Sequence, residues 1–388
     1  MSGSQADRHN TDRLVVRALL GTVLWCAAWG CAESPSTERD SQASTGGDSS
    51  AVSDGSTIDV SAIGPFWQIV DSLSQDAEPS SGLWKALFDT PGYRALTRSE
   101  FEVAFFQENF RLSYMPSLSD SLTRAIEDGG DSRRLRHYRQ VEERRIELEI
   151  FVEELTGTDQ TAEPSRLAAQ WLPDPPPEAP APLALVVFDL DARGYDPIVV
   201  DLLAARELDL LPFLAHESHH WYRNDRATVD WEVVAPHEVD VLWTLYQIQG
   251  EGIADQIDKR PWIEGSVPVP ATFQSYGERY AEALTEAPAT IRGLDSLLAA
   301  FGAATEAEHR ADIGTRVAEL VPMSGHPTGY YMTRTIIEAL GRERLLAGVA
   351  NPVAFFRAYD EAARVLGGQG LSQEALLSLA ELEVAFLP

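Results

Sequence analysis

The segment His216-Glu217-Ser218-His219-His220 restricts the fold more than any other stretch of the chain. Two imidazoles four residues apart reach a common point when the backbone between them is helical, because positions i and i+4 then share one face, one turn apart. Leu210, Phe213, Leu214 and Ala215 give such a helix an apolar back to bury, so the pattern predicts a helix over Leu208–Arg223. His216 and His220 so placed can bind one divalent ion together. Glu217 reaches the same side without having to ligate. A pentapeptide of this kind arises by chance on the order of once in a hundred such chains. It therefore needs a second element.

That element is Gly250-Glu251-Gly252-Ile253-Ala254-Asp255, in a helix predicted over His237–Asp258. Glu251 is a third ligand, completing a His₂Glu set that leaves one position of zinc open. Asp255, one turn later, stands where it can accept a hydrogen bond from the non-ligating nitrogen of a zinc-bound histidine. Both carboxylates sit among Leu242, Leu245, Ile248, Ile253 and Ile257. Buried carboxylates need a compensating charge, and a metal ion supplies one. The only cysteines, Cys26 and Cys31, lie near the N-terminus, so such a site must be built from His, Asp and Glu. His219 is read as a supporting or solvent-facing residue.

An HExxH motif followed by a Glu-x-x-x-Asp helix resembles the gluzincins, the thermolysin-like branch of zinc peptidases. His216–His220 with Glu251–Asp255 resembles more closely a bacterial group of zinc-dependent peptidases, over roughly residues 65–388 with the sharp motifs within 183–340. The resemblance implies a zincin-like core and one Zn²⁺ ion on His216, His220 and Glu251. It also implies Glu217 as general base and a peptide or protein as substrate. Gluzincins often supply a downstream Tyr or His to stabilise the oxyanion. The helix start Gly325-His326-Pro327-Thr328-Gly329-Tyr330-Tyr331 offers Tyr330 first, then Tyr331 and His326.

The remaining pattern predicts an α+β fold, predominantly α. A helical N-terminal lobe over 63–182, including a charged helix Arg133–Leu155, ends in the Pro-rich segment Pro173–Pro182. The zinc-binding catalytic region follows over 183–388, with strands at Leu183–Phe188 and Ile198–Val200. Further helices are expected at Thr272–Thr285, Pro327–Leu340 and Pro352–Leu366. The first strand is either a substrate-pairing edge beside the metal or a buried central strand. Asp189 and Asp191 have the spacing of a calcium loop, but Arg193 and Val200 stand where ligands belong, which argues against calcium. His237 reads as a cap, and His137 and His309 carry no assigned role.

Residues 1–31 read as an export signal. Arg8, Arg13 and Arg17 accompany an apolar run too short for a membrane span, ending Ala28-Trp29-Gly30-Cys31. Cys31 is then the lipidation site, the alternative being a plain secretory signal cut nearby, and 32–62 is a Ser/Thr/Gly-rich tether. This predicts an exported envelope protein, membrane-attached only through its lipid. A formal charge of −29 disfavours a nucleic-acid partner. Two other readings share the motif: a zinc hydrolase of non-peptide amides, and a silent lipoprotein with structural zinc. Retention of Glu217 weighs against the silent form, because structural zinc needs no base.

Overall fold

The computed structural model describes residues 58–386 apart from 130, 131, 157, 158 and 178. The expected signal, Cys31 and the expected tether up to residue 57 lie outside the described residues. Among the described residues helices dominate, and the one sheet has three strands in the order β1-β3-β2: β1 Leu183–Val186, β2 Ala192–Arg193 and β3 Ile198–Asp201. The predominantly α character with a small sheet agrees with the sequence pattern.

β1 pairs parallel to β3, and β2 antiparallel to it. On its other side β1 is bridged by Asp59, whose N–H donates to Leu183 O at 2.8 Å and whose carbonyl accepts from Leu185 N–H at 2.8 Å. All four β1 residues are buried. Of the two roles the sequence left open, β1 takes the interior one, because both its edges are occupied. The turn between β1 and β2 is held by arginines. Asp189 accepts from Arg133 at 2.8 Å and Arg134 at 3.1 Å, and Asp191 from Arg193 at 2.7 Å. Arg193 is itself buried and also reaches Glu100 at 2.8 Å.

The N-terminal helices pack onto this sheet. The helix Pro91–Ser99 lies so close to β1 that a Cβ on Gly92 would stand 2.5 Å from Val186 Cγ1. Next to it, Tyr93 Oη donates to Val187 O at 2.6 Å. Phe66, Phe110, Tyr114 and Tyr138 form an edge-to-face aromatic cluster behind them, with Phe106 tilted against Phe110. A single cluster of buried apolar side chains runs from Ile58 to Phe386, so both halves of the chain contribute to one core. His137 joins this framework. Its Nε2 lies 2.9 Å from Asp201, which also caps the helix Leu202–Glu207 through Leu203 and Ala204 N–H.

Several boundaries differ from the sequence pattern. The charged stretch forms two helices, Ser132–Glu143 and Arg145–Thr156, with Arg144 at the break turned onto Glu147 and Glu207. The helix expected at Thr272–Thr285 runs Gln274–Ala303, across Pro288. Ala287, Ile291, Leu294 and Leu298 bury its second half and outweigh the donor lost at proline. Helices Ala307–Leu320 and Gln373–Phe386 were not anticipated.

Candidate metal centre

The HExxH helix spans Leu210–Asp225 and is buried from Phe213 to His220. The Glu251 helix, Val239–Asp258, is buried continuously from Ile248 to Asp258. Two buried helices with polar motifs must approach closely and satisfy those groups mutually. Arg223 does part of this. Its guanidinium fills the notch at Gly250, where a Cβ would stand 2.6 Å from Nη1. It donates to Tyr246 O at 2.6 Å and lies 3.5 Å over the Tyr246 ring.

The approach brings three ligand atoms together. His216 Nε2 and His220 Nε2 are 3.0 Å apart, and Glu251 Oε2 is 3.1 Å from the latter and 3.4 Å from the former. Ligands about 2.0–2.1 Å from a tetrahedral zinc ion stand about 3.3 Å from one another. The triangle therefore fits that ion. The charges fit as well: Glu217, Glu251, Asp255 and Asp258 are all buried, with Lys259 as the ammonium beside them. Burial pushes the Glu251 carboxyl up, but His220, His326 and His216 around it hold it well below the ordinary range. A donor set of two imidazoles and one ionised carboxylate, enclosed and short of positive charge, suits a divalent cation.

Supporting residues fall differently from the sequence reading. Asp258, which the pattern did not single out, accepts from His216 Nδ1 at 2.9 Å. Asp255 instead lies 2.9 Å from His326 Nδ1 and accepts from Tyr280 Oη at 2.7 Å. Asp255 and Asp258 share a helix face three residues apart, and the tilt of the helix decides which one meets His216. His219 is fully buried on the side of the helix towards the Trp171 backbone. Burial, with the charges of His220 and Arg223, keeps it neutral. It stands outside both groups of side chains that converge on a common point.

His326 enters through the next helix, His326–Leu340. Met323, Ser324 and Gly325 all have positive φ just before it, a costly run that turns the chain sharply onto the Glu251 helix. The two helices then touch backbone to backbone. A Cβ on Gly252 would stand 2.1 Å from the Gly329 carbonyl carbon, and one on Gly329 1.9 Å from Ile248 O. This contact delivers His326 Nε2 to 3.2 Å from Glu251 Oε2, with its ring stacked 5.9 Å from that of His216. Burial lowers the His326 pKa, but Asp255 and Glu251 outweigh it and raise it. His326 converges with His216 and Asp255 but not with His220, so it does not close the three-atom set.

A small recess opens beside these residues, lined among others by His216, Glu217 and His326. Glu217 Oε1 is 3.9 Å from His216 Nε2, and burial raises its pKa. Tyr330 does not line the recess. It packs with Tyr276, Tyr280 and Met323, its ring 6.4 Å from that of Tyr280. Tyr331 is half-buried against the main core. Of the three candidates in that segment, His326 alone reaches the ligand set. Tyr276, at the start of the long helix, lines the recess although no sequence signal marked it.

A search of curated proteins and a search of solved structures each found no match. The profile of one family does match, over residues 84–366, a span that holds every residue of the centre. The chain thus belongs to the family described as "Putative zinc dependent peptidase (DUF5700)".

Proposed function

We propose that the protein hydrolyses peptide bonds with one zinc ion held by His216, His220 and Glu251 and with Glu217 as general base. A zinc ion there supplies a Lewis acid that polarises the scissile carbonyl and makes water acidic. Glu217, whose pKa burial raises, takes the proton of the attacking water and passes it to the leaving amine. His326, oriented by Asp255 at 2.9 Å and favoured in its protonated form, donates from Nε2 to the developing oxyanion. Asp258 fixes the tautomer of His216.

The observation that carries this reading is Glu217. A buried carboxylate beside three ligand atoms, facing a recess and not itself in the ligand triangle, has a use in hydrolysis and none in a purely structural site. The gluzincin type is supported by Glu251 supplying the third ligand from a second helix. Metal analysis joined to a peptide-library digest tests it. Wild type is expected to hold one zinc and cleave, while Glu217→Gln holds zinc and does not. Cleavage undiminished in Glu217→Gln overturns the role of the base. The N-terminal segment supports export and anchoring through Cys31, and membrane release of Cys31→Ser is the expected outcome.

A further inference from the structure

The recess beside the centre has an uneven chemistry. Leu208, Phe213, Trp262 and Phe273 give it apolar walls, with the last two rings 6.4 Å apart. Its charged lining residues are Asp191, Glu217, Lys259 and the two histidines. Asp191 is already tied to Arg193 at 2.7 Å, and Glu217 is the proposed base. That leaves Lys259, one of only two lysines in a chain that otherwise uses arginine. Its side chain is 12% exposed. One ammonium N–H goes to Asp258, and Asp255 at 3.9 Å is beyond hydrogen-bond reach, so these carboxylates leave two donors unspent. Asp258 bridges Lys259 to His216, setting the ammonium one side chain away from a metal ligand. Burial keeps the nearby Tyr276 phenol protonated, so it adds a hydroxyl to the same wall.

We propose that this recess holds the C-terminal residue of a peptide, its α-carboxylate on Lys259 and an apolar side chain against Phe213, Trp262 and Phe273, making the protein a carboxypeptidase. This rests on the peptidase reading above. Lys259 in the wall of the recess favours the charged end of a peptide over the uncharged amide of a continuing chain. With apolar walls occupied by the side chain, the carboxylate that meets the ammonium is that of the main chain. Water adds to the carbonyl carbon of the penultimate residue and the C–N bond breaks. The proton taken by Glu217 goes to the released nitrogen, giving a shortened peptide acid and a free apolar amino acid.

The test compares three acetylated peptides on the zinc-loaded full chain: one ending in free Phe, the same ending in phenylalaninamide, and one ending in amidated Glu. The free acid is expected to be cleaved at its last bond on the order of 100-fold faster in kcat/KM than either amide. Lys259→Met should bring the acid and amide of Phe to within about threefold through KM, and Lys259→Arg should restore part of the preference. Equal cleavage of acid and amide by wild type, a comparison needing no variant, overturns the inference and leaves the peptidase reading standing. Preferred cleavage of the amidated Glu peptide overturns it in favour of an acidic side chain. Calorimetry with 3-phenylpropanoate and its amide reads the anchor without turnover. Wild type should prefer the acid and Lys259→Met should not. A preference that survives Lys259→Met refutes the anchor. Absence of cleavage of any peptide, with zinc bound, removes the peptidase reading, and the calorimetry then still decides whether Lys259 takes a carboxylate.

Discussion

Two of the helices packed on the Glu251 helix meet it in different ways. Against the HExxH helix the contact runs through side chains: the Arg223 guanidinium in the notch at Gly250 and the ligand triangle itself. Against the His326 helix it runs through bare backbone at Gly252 and Gly329. A side-chain contact can adjust by changing rotamers, whereas a backbone contact cannot give without moving a whole helix. The second crossing also carries more of the site's precision. It alone decides which residue of the 325–331 segment faces the metal ligands.

The strongest test of that difference is Gly252→Val. The backbone of Gly329 leaves no room for it, so a loss of about 3 kcal/mol or more is expected in denaturant melts, with zinc content falling alongside. A wild-type midpoint in Gly252→Val would mean that the crossing is not rigid. Glu217→Gln comes next and acts on chemistry alone, with kcat lower by about 10²–10⁴ and zinc stoichiometry unchanged. His326→Ala should lower kcat by about 10²–10³ while zinc stays bound. If zinc is lost there instead, His326 is a ligand and the centre is closed. At the adaptable crossing, Arg223→Met should remove about 2 kcal/mol of stability and leave the rate per folded molecule near wild type. The smallest effect belongs to Tyr330→Phe, expected within about threefold of wild-type kcat/KM because its ring packs on Tyr280 and Met323, away from the recess. A rate drop like that of His326→Ala would return the oxyanion role to Tyr330.

The outcome separates what is local from what is not. Helix periodicity alone puts His216 and His220 on one face. The apolar run around Glu251 says that this carboxylate is buried and needs a cation. The helical segments at 208–223, 237–258, 327–340 and 352–366 were legible within a few residues, since each carries its own apolar stripe. Tyr330 was preferred over His326 on chemistry, and nothing local argues otherwise. The two are one turn apart on one helix, yet the first residue meets Glu251 and Tyr330 meets Tyr280.

The same limit explains Asp255 and Asp258. Spacing marks Asp255 alone as the neighbour of a histidine, and the angle between the two helices assigns Asp258 to His216 and Asp255 to His326. Lys259 and Tyr276 are farther still from local signals, because the recess exists only once the end of the Glu251 helix, the 262–276 segment and the turn at Leu190 have met. The sequence by itself determined the candidate ligand types, their pairing on helices and the candidate base, since these follow from side-chain chemistry and a fixed helical repeat. Only the tertiary structure decided the partner of each candidate ligand, the residue of the 325–331 segment that meets Glu251 and the walls of the recess. Those depend on helix crossings fixed by backbone contact at Gly252 and Gly329, which no single segment encodes.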